Sequence, residues 1–492
     1  MIRALTHIAY FAVIALLTLV VPASFVGDPR AAKHAIIVIG VLGAWRYSWA
    51  MLNLCRAILF RRFVYPRRKA AAFKADRESG RRRHAFFMVT SYMVDQDTTL
   101  MVYRRLFRAA AAARDGATIV SSVVDGADER LIREIYATMP IDMSSVKLVM
   151  DRIKSNGKRD AMARALRLLA SFSPTPHDIM VFVDGDTVVP LDVVEQSAPW
   201  FQDPNVGALT THEAAIVDKD NLFKDWFILR FNQRQMMMCS MGLSQRVLTL
   251  TGRMSVFRAS LATDPGFVNG VGHDFLNHWR LGRVTFLTGD DKSTWYWLLR
   301  NGYKLLYLPD MMSASVETQP RATFYDSAKT LMVRWFGNMM RTNGRALRLG
   351  PRSMGFFTWW SILDQRVSMF TTLVGPISVL VTALFVSPLV IPLYVGWVLA
   401  TRYIFCAFIA LFNGVWFPIT HPPILYFSQI VGAAIKTFVL FRLDKQKWTR
   451  QASTGGGATV GLFDRLKAAE SAAHHALTIC WLTLAVMYLS II

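Results

Sequence analysis

The sequence predicts a water-soluble α/β domain inserted between N-terminal and C-terminal transmembrane helices. Of its 492 residues, 53% are hydrophobic and 18% are charged, which is too apolar for a purely soluble chain and too charged for membrane spans alone. Residues 62–350 contain no apolar run long enough to cross a bilayer. Hydrophobic windows occur only outside that region, near residues 8–26, 35–59, 367–387, 389–412, 423–441 and 475–492.

The first two windows predict a helical hairpin over residues 1–60. Arg3 and the small residues after Pro22 are compatible with a cleaved leader. A second apolar run follows, however, and it is closed by Arg61 and Arg62. Two consecutive runs favour a hairpin that is retained in the protein.

The number of apolar windows within residues 351–492 raises a problem of parity, because an odd number of membrane crossings would put the following basic stretch on the wrong side of the membrane. Three windows separate the soluble domain from a basic stretch at residues 442–450. Three full crossings would place this positive charge outside the cell, which the positive-inside rule disfavours. Because Pro376 interrupts the window at 367–387, that neighbourhood is a candidate for an interfacial helix or part of one. The two later windows carry Pro392, Arg402 and Pro423, so the sequence leaves the number of crossings open.

The formal net charge of +22 does not indicate nucleic-acid binding. Basic residues cluster beside apolar runs, at 61–69 and 81–83, as expected for cytoplasmic flanks that contact membrane lipid. An anionic substrate and product would add to the need for positive charge. The four cysteines form neither a metal-binding pattern nor a disulfide framework; they are Cys55, Cys239, Cys406 and Cys480.

The middle of the chain, residues 61–350, alternates short apolar strands with helical patterns. The strands are expected at 85–89, 118–124 and 178–183, with helices at 99–113 and 159–170. This alternation predicts a parallel sheet, in which ligands bind beyond the carboxyl ends of the strands. Asp125 and Asp184 follow two of these strands and are therefore candidate ligand contacts.

The segment Asp184-Gly185-Asp186 follows directly after a buried strand. Two carboxylates on a turn that glycine allows to approach a ligand closely predict a site for Mg²⁺ or Mn²⁺ bridging a diphosphate. Such a cation would neutralise a departing nucleotide diphosphate. The alternative is an ordinary solvated turn.

A second acidic segment, residues 288–291, precedes an expected helix at 293–301. Sugar transfer from a diphosphate needs a base for the acceptor hydroxyl, and Asp291 fits that role because its neighbour Asp290 would raise its pKa. The alternative is a helix N-terminus lined with acids, which the helix dipole favours.

Two basic segments are candidate phosphate and sugar contacts. Lys158 and Arg159 enter a helix, where cations and backbone N–H groups can meet phosphate. Arg334 and Trp335 combine a guanidinium for diphosphate with an indole face for a sugar ring. The alternatives are a solvated face for the first pair and a core or membrane-edge aromatic for Trp335.

Taken in order, these segments resemble the processive family 2 glycosyltransferases that make cellulose, chitin and hyaluronan. Within that family the chain is most similar to the bacterial alginate polymerases, or mannuronan synthases. The segments that carry this closer resemblance are residues 251–258, 279–283, 306–310, 364–369, 441–444 and 448–451.

The resemblance implies a GT-A-like domain in the bacterial inner membrane that polymerises GDP-mannuronate into β-1,4-linked polymannuronate with inversion. It makes Asp125 a nucleotide-base contact, Asp184 and Asp186 the diphosphate and Mg²⁺ or Mn²⁺ contacts, and Asp291 the general base with Asp290 beside it. It also implies a partner, a cyclic-di-GMP-binding copolymerase subunit. A UDP-sugar polymerase and a non-catalytic membrane scaffold are the alternatives.

The resemblance also assigns the membrane-proximal segments. Residues 252–258 are expected near the acceptor, Arg334 and Trp335 at the mouth of a translocation channel, and Trp448 and Arg450 in a cytoplasmic gating loop at about 442–474. Two departures weaken this assignment. The usual glutamine of the channel motif is Leu331 here, and a glycine of the gating motif is missing after Trp448.

A uronic acid donor carries a carboxylate that needs a cation in a water-poor site. The candidates are Lys292, directly after the expected base, and the two arginines Arg253 and Arg258. Lys292 is favoured because it follows Asp291. The alternative for Lys292 is a solvated lysine at a helix start.

Overall fold

The structure, a computed structural model, describes residues 2–22, 25, 41–154, 156–285, 287–445 and 461–491. Its soluble part is built on one eight-stranded sheet with the order β3-β2-β1-β4-β7-β6-β10-β5. A two-stranded hairpin, β8-β9, lies apart from it. The strands are β1 Ala85–Thr90, β2 Ala117–Val123, β3 Val146–Arg152, β4 Ile179–Asp184, β5 Thr187–Val188, β6 Val206–Ile216, β7 Met254–Arg258, β8 Leu276–His278, β9 Gly282–Val284 and β10 Lys304–Val316.

The sheet is parallel in its first half and mixed in its second. β3, β2, β1 and β4 run parallel, as the alternating pattern predicts. The expectation of a wholly parallel sheet is wrong, because β7 inserts antiparallel between β4 and β6. β3 was not predicted, since this edge strand is only partly buried and includes charged residues such as Lys147 and Asp151.

Helices cover the sheet and continue into an apolar bundle. They are α1 Ile2–Leu19, α2 Ala44–Leu59, α3 Tyr65–Ser79, α4 Gln96–Ala111, α5 Gly126–Ala137, α6 Lys158–Ala170, α7 Val193–Ser197, α8 Leu222–Gly242, α9 Ala259–Ala262, α10 Pro265–Gly272, α11 Asp290–Arg300, α12 Phe324–Leu347, α13 Gly350–Met354, α14 Phe356–Phe385, α15 Val390–Asn413, α16 His421–Leu440 and α17 Leu462–Ile491.

The core of the soluble domain lies between the sheet and its helices. Each central strand buries its apolar side chains completely, for example Phe87, Ile119, Val181 and Val256. Burying a side chain of this size stabilises the fold by about 1.5–3 kcal/mol. The central strands therefore hold the polar residues at their carboxyl ends on a rigid base.

Near the N-terminus, α2 continues through a wide turn at Phe60–Val64 into α3, without a break at the basic cluster. The other described N-terminal helix, α1, packs against α15, where the His7 imidazole lies 2.9 Å from the Tyr403 hydroxyl. Among the described residues near the N-terminus, no helix is long and apolar enough to count as a membrane span, and the shorter apolar helix is Ala4–Leu19. The predicted hairpin over 1–60 is therefore partly outside the described residues.

Four described helices are long and apolar enough to cross a membrane. They are α14, α15, α16 and most of α17. The expected interruption at Pro376 is absent, since α14 is one helix of 30 residues that contains this proline. The expected loop over 442–474 is also shorter than predicted, because α17 begins at Leu462.

Both ends of α16 contact the soluble domain. At its start, the Thr420 hydroxyl donates to Asp225 at 2.6 Å. Just beyond its end, the carbonyl oxygens of Phe441 and Leu443 accept from Arg280 at 2.6 Å and Arg341 at 3.1 Å. The described residues just after α16 therefore contact the soluble domain. α16 lies along α12, and the number of membrane crossings stays a prediction.

Candidate active site

Residues from five segments of the chain meet in one pocket at the carboxyl ends of β1 and β4. The pocket is open to solvent, and its space, including that open to solvent, is about 290 Å³. Its polar lining includes four residues selected from the sequence: Lys158, Asp184, Asp290 and Asp291. Their convergence agrees with the expected arrangement, in which ligands bind beyond the strand ends.

Lys158 lies at the centre of this group. It begins α6 directly after Gly157, whose φ of 110° redirects the chain. Its ammonium nitrogen is 2.6 Å from Asp184 Oδ1 and 3.0 Å from Asp290 Oδ2. Burial disfavours the charge on Lys158, but the two carboxylates outweigh burial and raise its pKa.

The Asp184-Gly185-Asp186 turn is fixed by close contact with the end of β1. A Cβ atom on Gly185 would lie 2.6 Å from Ser91 Oγ, so only glycine fits. The Gly185 N–H donates to the Thr90 carbonyl at 2.9 Å. The pKa of Asp184 is raised to about 7 by burial, and although Lys158 opposes this, Asp186 and Asp290 add to it.

The turn fits a divalent cation only in combination with a substrate. Among the described residues, no group of three or more His, Cys, Asp or Glu side chains could hold a metal ion. The pocket lining nevertheless has more carboxylates than cations, since Asp184, Asp290 and Asp291 accompany the single cation Lys158. Carboxylates and phosphate oxygens are the ligands that Mg²⁺ takes in proteins, so Asp184 and Asp186 would share it with a diphosphate.

The role of Asp291 as a base stays a prediction, and its surroundings are compatible with that role. Asp291 lies half-buried in the first turn of α11 and lines the pocket. Burial raises its pKa, and the charge of the buried neighbour Asp290 adds to the effect. A carboxylate with a raised pKa holds a proton more strongly and is a better general base near neutral pH.

Arg159 is not among the residues that line the pocket, and its contact with phosphate stays a prediction. Its buried guanidinium donates to the carbonyl oxygens of Leu287, Val271 at 2.7 Å and Gly289 at 2.9 Å. It also donates to Ser293 Oγ at 2.7 Å. Three of these acceptors lie in or beside residues 288–291 and Val271 lies in α10, so Arg159 ties the 288–291 loop to α10.

Arg253 also has protein partners. Its guanidinium is 2.6 Å from Glu317 Oε1 and 3.7 Å from Glu213 Oε1, and buried Glu213 accepts the Thr251 hydroxyl. Gly252 faces the pocket, where an added Cβ would lie 3.7 Å from Asp184 Oδ2. Arg253 therefore supports the loop that presents Gly252.

Neither remaining candidate for the sugar carboxylate faces the pocket. Lys292 is buried and donates to the Leu248 carbonyl at 2.9 Å. Arg258 is buried and donates to the carbonyl oxygens of Phe201 at 3.0 Å and Asp203 at 2.7 Å. The Lys292 side chain turns towards the segment before β7, and its contact with a sugar carboxylate stays a prediction.

Asp125 lies one strand away from the pocket. It caps α5, and its Oδ1 accepts from the Ala127 N–H at 3.0 Å. Its carboxylate is at the end of β2, next to β1. Its contact with a nucleotide base stays a prediction.

Arg334 and Trp335 lie on α12, outside the pocket lining. The Trp335 ring stacks on Trp226 at 5.5 Å, and the Arg230 guanidinium lies 4.3 Å above it. Their role at a channel mouth stays a prediction. The gating residues Trp448 and Arg450 lie outside the described residues.

Two residues of α12 that sequence reasoning missed contact the 288–291 loop. Thr288 donates to Asn338 Oδ1 at 2.7 Å, and buried Arg341 donates to the same oxygen at 2.7 Å. Arg341 also reaches the Leu443 carbonyl. Their only sequence signal is helical spacing after Arg334, which by itself does not indicate a site.

This constellation defines a nucleotide-sugar transferase, and the comparisons place it in a family. Residues 83–338 match the family described as Glycosyltransferase like family 2. The chain belongs to the family 2 glycosyltransferases. It is 43% identical over 423 residues to "Glycosyltransferase alg8" of Pseudomonas syringae pv. tomato, covering 85% of each chain. It is 42% identical to "Glycosyltransferase alg8" of Azotobacter vinelandii, covering 86% of this chain and 85% of that one.

The soluble domain is GT-A-like, with its mixed sheet and its acidic turn after β4. Among solved structures, it is similar to the mannosyltransferase PcManGT from Pyrobaculum calidifontis in complex with GDP-Man and Mn²⁺. The identity is 15%, the TM-score is 0.41, and the match covers 78% of this chain and 98% of that chain.

Proposed function

We propose that this protein polymerises GDP-mannuronate into β-1,4-linked mannuronan and passes the growing chain through its own membrane helices. The observation that carries the proposal is the pocket in which Lys158, Asp184, Asp290 and Asp291 converge. The similarity to the alg8 glycosyltransferases supports the choice of an alginate-type product.

The chemistry assigned to the pocket is an inverting displacement. The Asp291 carboxylate accepts the proton of the acceptor hydroxyl, whose oxygen attacks the anomeric carbon of the donor. A new C–O bond forms as the bond to the β-phosphate breaks, and GDP leaves with that electron pair. The position of half-buried Asp291 in the first turn of α11 holds the base in place.

The leaving group needs positive charge, and Lys158 is the cation of the pocket lining. Its ammonium can turn from Asp184 and Asp290 towards the diphosphate, where it stabilises the charge that develops. A divalent cation held by Asp184 and Asp186 would supply further neutralisation of the diphosphate.

The membrane location and the partner belong to the same proposal. The four apolar helices support insertion in a membrane, and we assign the bacterial inner membrane, with the domain over 61–350 in the cytoplasm and residues 351–492 forming the channel. The cyclic-di-GMP-binding copolymerase subunit is proposed from the family resemblance.

The test uses membranes that contain the full-length protein. Incubation with GDP-mannuronate, GDP-mannose or a UDP-sugar, followed by measurement of nucleotide release and product size, identifies the donor. We expect release of GDP and a long acidic polymer from GDP-mannuronate alone. A neutral polymer from a UDP-sugar would replace this proposal with the alternative polymerase, and release of no nucleotide from any donor would favour a scaffold.

Chelation tests the cation. EDTA should stop polymer formation, and Mg²⁺ or Mn²⁺ should restore it, because Asp184 and Asp186 would lose the ion they share with the diphosphate. Full activity in a thoroughly chelated sample would exclude this role of the turn.

A further inference from the structure

Beyond the pocket, three basic side chains lie among apolar helices without an acidic partner. They are Arg230 on α8, Arg402 on α15 and Lys436 on α16. Among the described residues, no carboxylate lies within 4.0 Å of any of the three. Cations in such surroundings are costly and mark functional sites.

The acidic residues that could balance these three positive charges are either absent from the neighbouring helices or already paired with another side chain. Asp364 is the sole acidic residue between positions 356 and 440. It pairs with Arg46 at 2.6 Å, and Arg46 also donates to Thr371. The helix junction between α8, α12, α15 and α16, called here the junction, therefore has excess positive charge.

The first two cations, Arg230 and Lys436, lie over two adjacent aromatic residues of α12. The Arg230 guanidinium lies 4.3 Å above Trp335, and the Lys436 ammonium lies 4.7 Å above Phe336. The pKa of Arg230 is lowered to about 10 by burial and then by the charge of Arg253. Both cations sit against aromatic faces inside the protein, where a lipid headgroup has poor access.

The third cation, Arg402, lies on α15 and also contacts α16. Arg402 donates to Gln429 Oε1 at 2.8 Å and lies 5.7 Å from the Tyr426 ring. Tyr426, Gln429 and Lys436 are three and seven residues apart on α16, so they share one face of that helix. This face extends over about 15 Å of helix length.

The position of the junction fits the route of a product. Trp226 on α8 donates to Ser428 on α16 at 2.9 Å, so α8 and α16 are joined here. The Arg253 guanidinium lies 4.9 Å from the ring of Phe231, the residue after Arg230, and Arg253 directly follows pocket residue Gly252. Aromatic faces bind sugar rings and cations bind carboxylates, and the junction supplies both.

We propose that Arg230, Lys436 and Arg402 bind, in turn, the carboxylates of an anionic polysaccharide that leaves the pocket through the junction. This inference rests on the proposed function and names residues that would make the exit selective for a uronic acid chain. An aromatic exit without these cations would suit a neutral polymer equally well.

The experiment measures binding of a preformed ligand, which requires no turnover. Labelled oligomannuronate and a neutral mannose oligosaccharide of equal length are titrated against purified full-length protein in a detergent without acidic lipid. The variants are Arg230→Gln, Arg402→Gln and Lys436→Gln, singly and combined, with Lys436→Arg as the conservative change. Lys224→Gln is the matched control, since it removes one charge from the start of α8, where Lys224 pairs with Asp220.

We expect the combined variant to bind oligomannuronate more weakly by about tenfold or more, as for loss of partners of desolvated charges. Binding of the neutral oligosaccharide should not change, and Lys436→Arg and Lys224→Gln should match the parent. During synthesis, Lys436→Gln and Arg402→Gln should shorten the polymer.

Three results would overturn the inference. They are parental affinity of the combined variant for oligomannuronate, equal loss of affinity for the neutral oligosaccharide, and a polymer defect that added acidic lipid abolishes, which would assign the cations to headgroups. Failure of the proposed function is separate: the parent would then release no GDP from GDP-mannuronate, whatever the binding data show. Thermal unfolding of each variant checks that the fold is retained.

Discussion

The pocket and the junction have opposite imbalances of charge. In the pocket, one cation, Lys158, is shared by two carboxylates within 3.0 Å, and the pKa of Asp184 is raised. In the junction, Arg230 and Lys436 contact aromatic rings, with no carboxylate within salt-bridge distance in the described chain. The pocket lacks positive charge and the junction lacks negative charge. A donor diphosphate with its cation would complete the first, and an acidic chain would complete the second.

The largest expected effect tests whether the acidic region performs chemistry. Asp291→Asn should lower turnover by about 100-fold or more, the usual scale for a general base, while GDP affinity stays near the parent value. Turnover and GDP binding are measured on the same preparation. If turnover survives, the base is another group, and Asp290 is the first candidate.

A smaller effect tests whether the pocket depends on its own cation. Lys158→Met leaves Asp184 and Asp290 without their shared partner, and we expect donor affinity to fall by about tenfold or more. Lys224→Gln, on the exposed start of α8, is the control for loss of one positive charge. Unchanged donor affinity in Lys158→Met would mean that Lys158 serves the apo state alone.

Arg341 connects the two regions. It donates to Thr288 Oγ1 at 3.2 Å beside the acidic loop and to the Leu443 carbonyl beyond α16. Arg341→Met leaves buried acceptors without a donor, at about 1–3 kcal/mol. If this strain displaces Asp291, turnover should fall roughly tenfold with little change in GDP affinity, and Arg341→Lys should recover part of it. An equal loss of GDP affinity and turnover would indicate general damage to the fold.

The regions also differ in how far the sequence predicted them. Asp184 and Asp291 were predicted because the acids follow a strand or start a helix, which are local patterns. Arg159 was assigned to phosphate from the same kind of pattern, yet its partners Val271 and Gly289 lie more than 100 residues away. A local sequence pattern does not show which polar side chains form hydrogen bonds that stabilise the fold and which remain available to a ligand.

The same limit explains α16 and the sheet. The length and composition of α16 are those of a membrane span, and only its contacts with Asp225 and Arg341 show that the soluble domain reaches both of its ends. Likewise, β7 has the composition of any buried strand, and its antiparallel direction is set by pairing with β4 and β6. The position of α16 and the direction of β7 are therefore both set by contacts between residues far apart in the sequence.

The smallest expected effect concerns the pH dependence of turnover. The pKa of Asp291 is raised by burial and further by the charge of Asp290, so Asp291 takes up a proton at a higher pH than an ordinary carboxyl group. As pH falls, the base form is lost, and the acid limb of kcat should lie above the usual carboxyl range. Asp290→Asn removes the neighbouring charge and leaves burial in place.

The acid limb of Asp290→Asn should therefore move to lower pH, by at most about one unit. The plateau should also fall, because Lys158 loses one of its two carboxylate partners. Asp326→Asn is the control, since this exposed aspartate at the start of α12 is distant in sequence from the loop. The measurement is kcat against pH for the three proteins under saturating donor. A limb that stays in place would mean that Asp290 does not tune the base, and a limb that moves to higher pH would mean that its loss chiefly weakens Lys158, whose charge holds the pKa of Asp291 down.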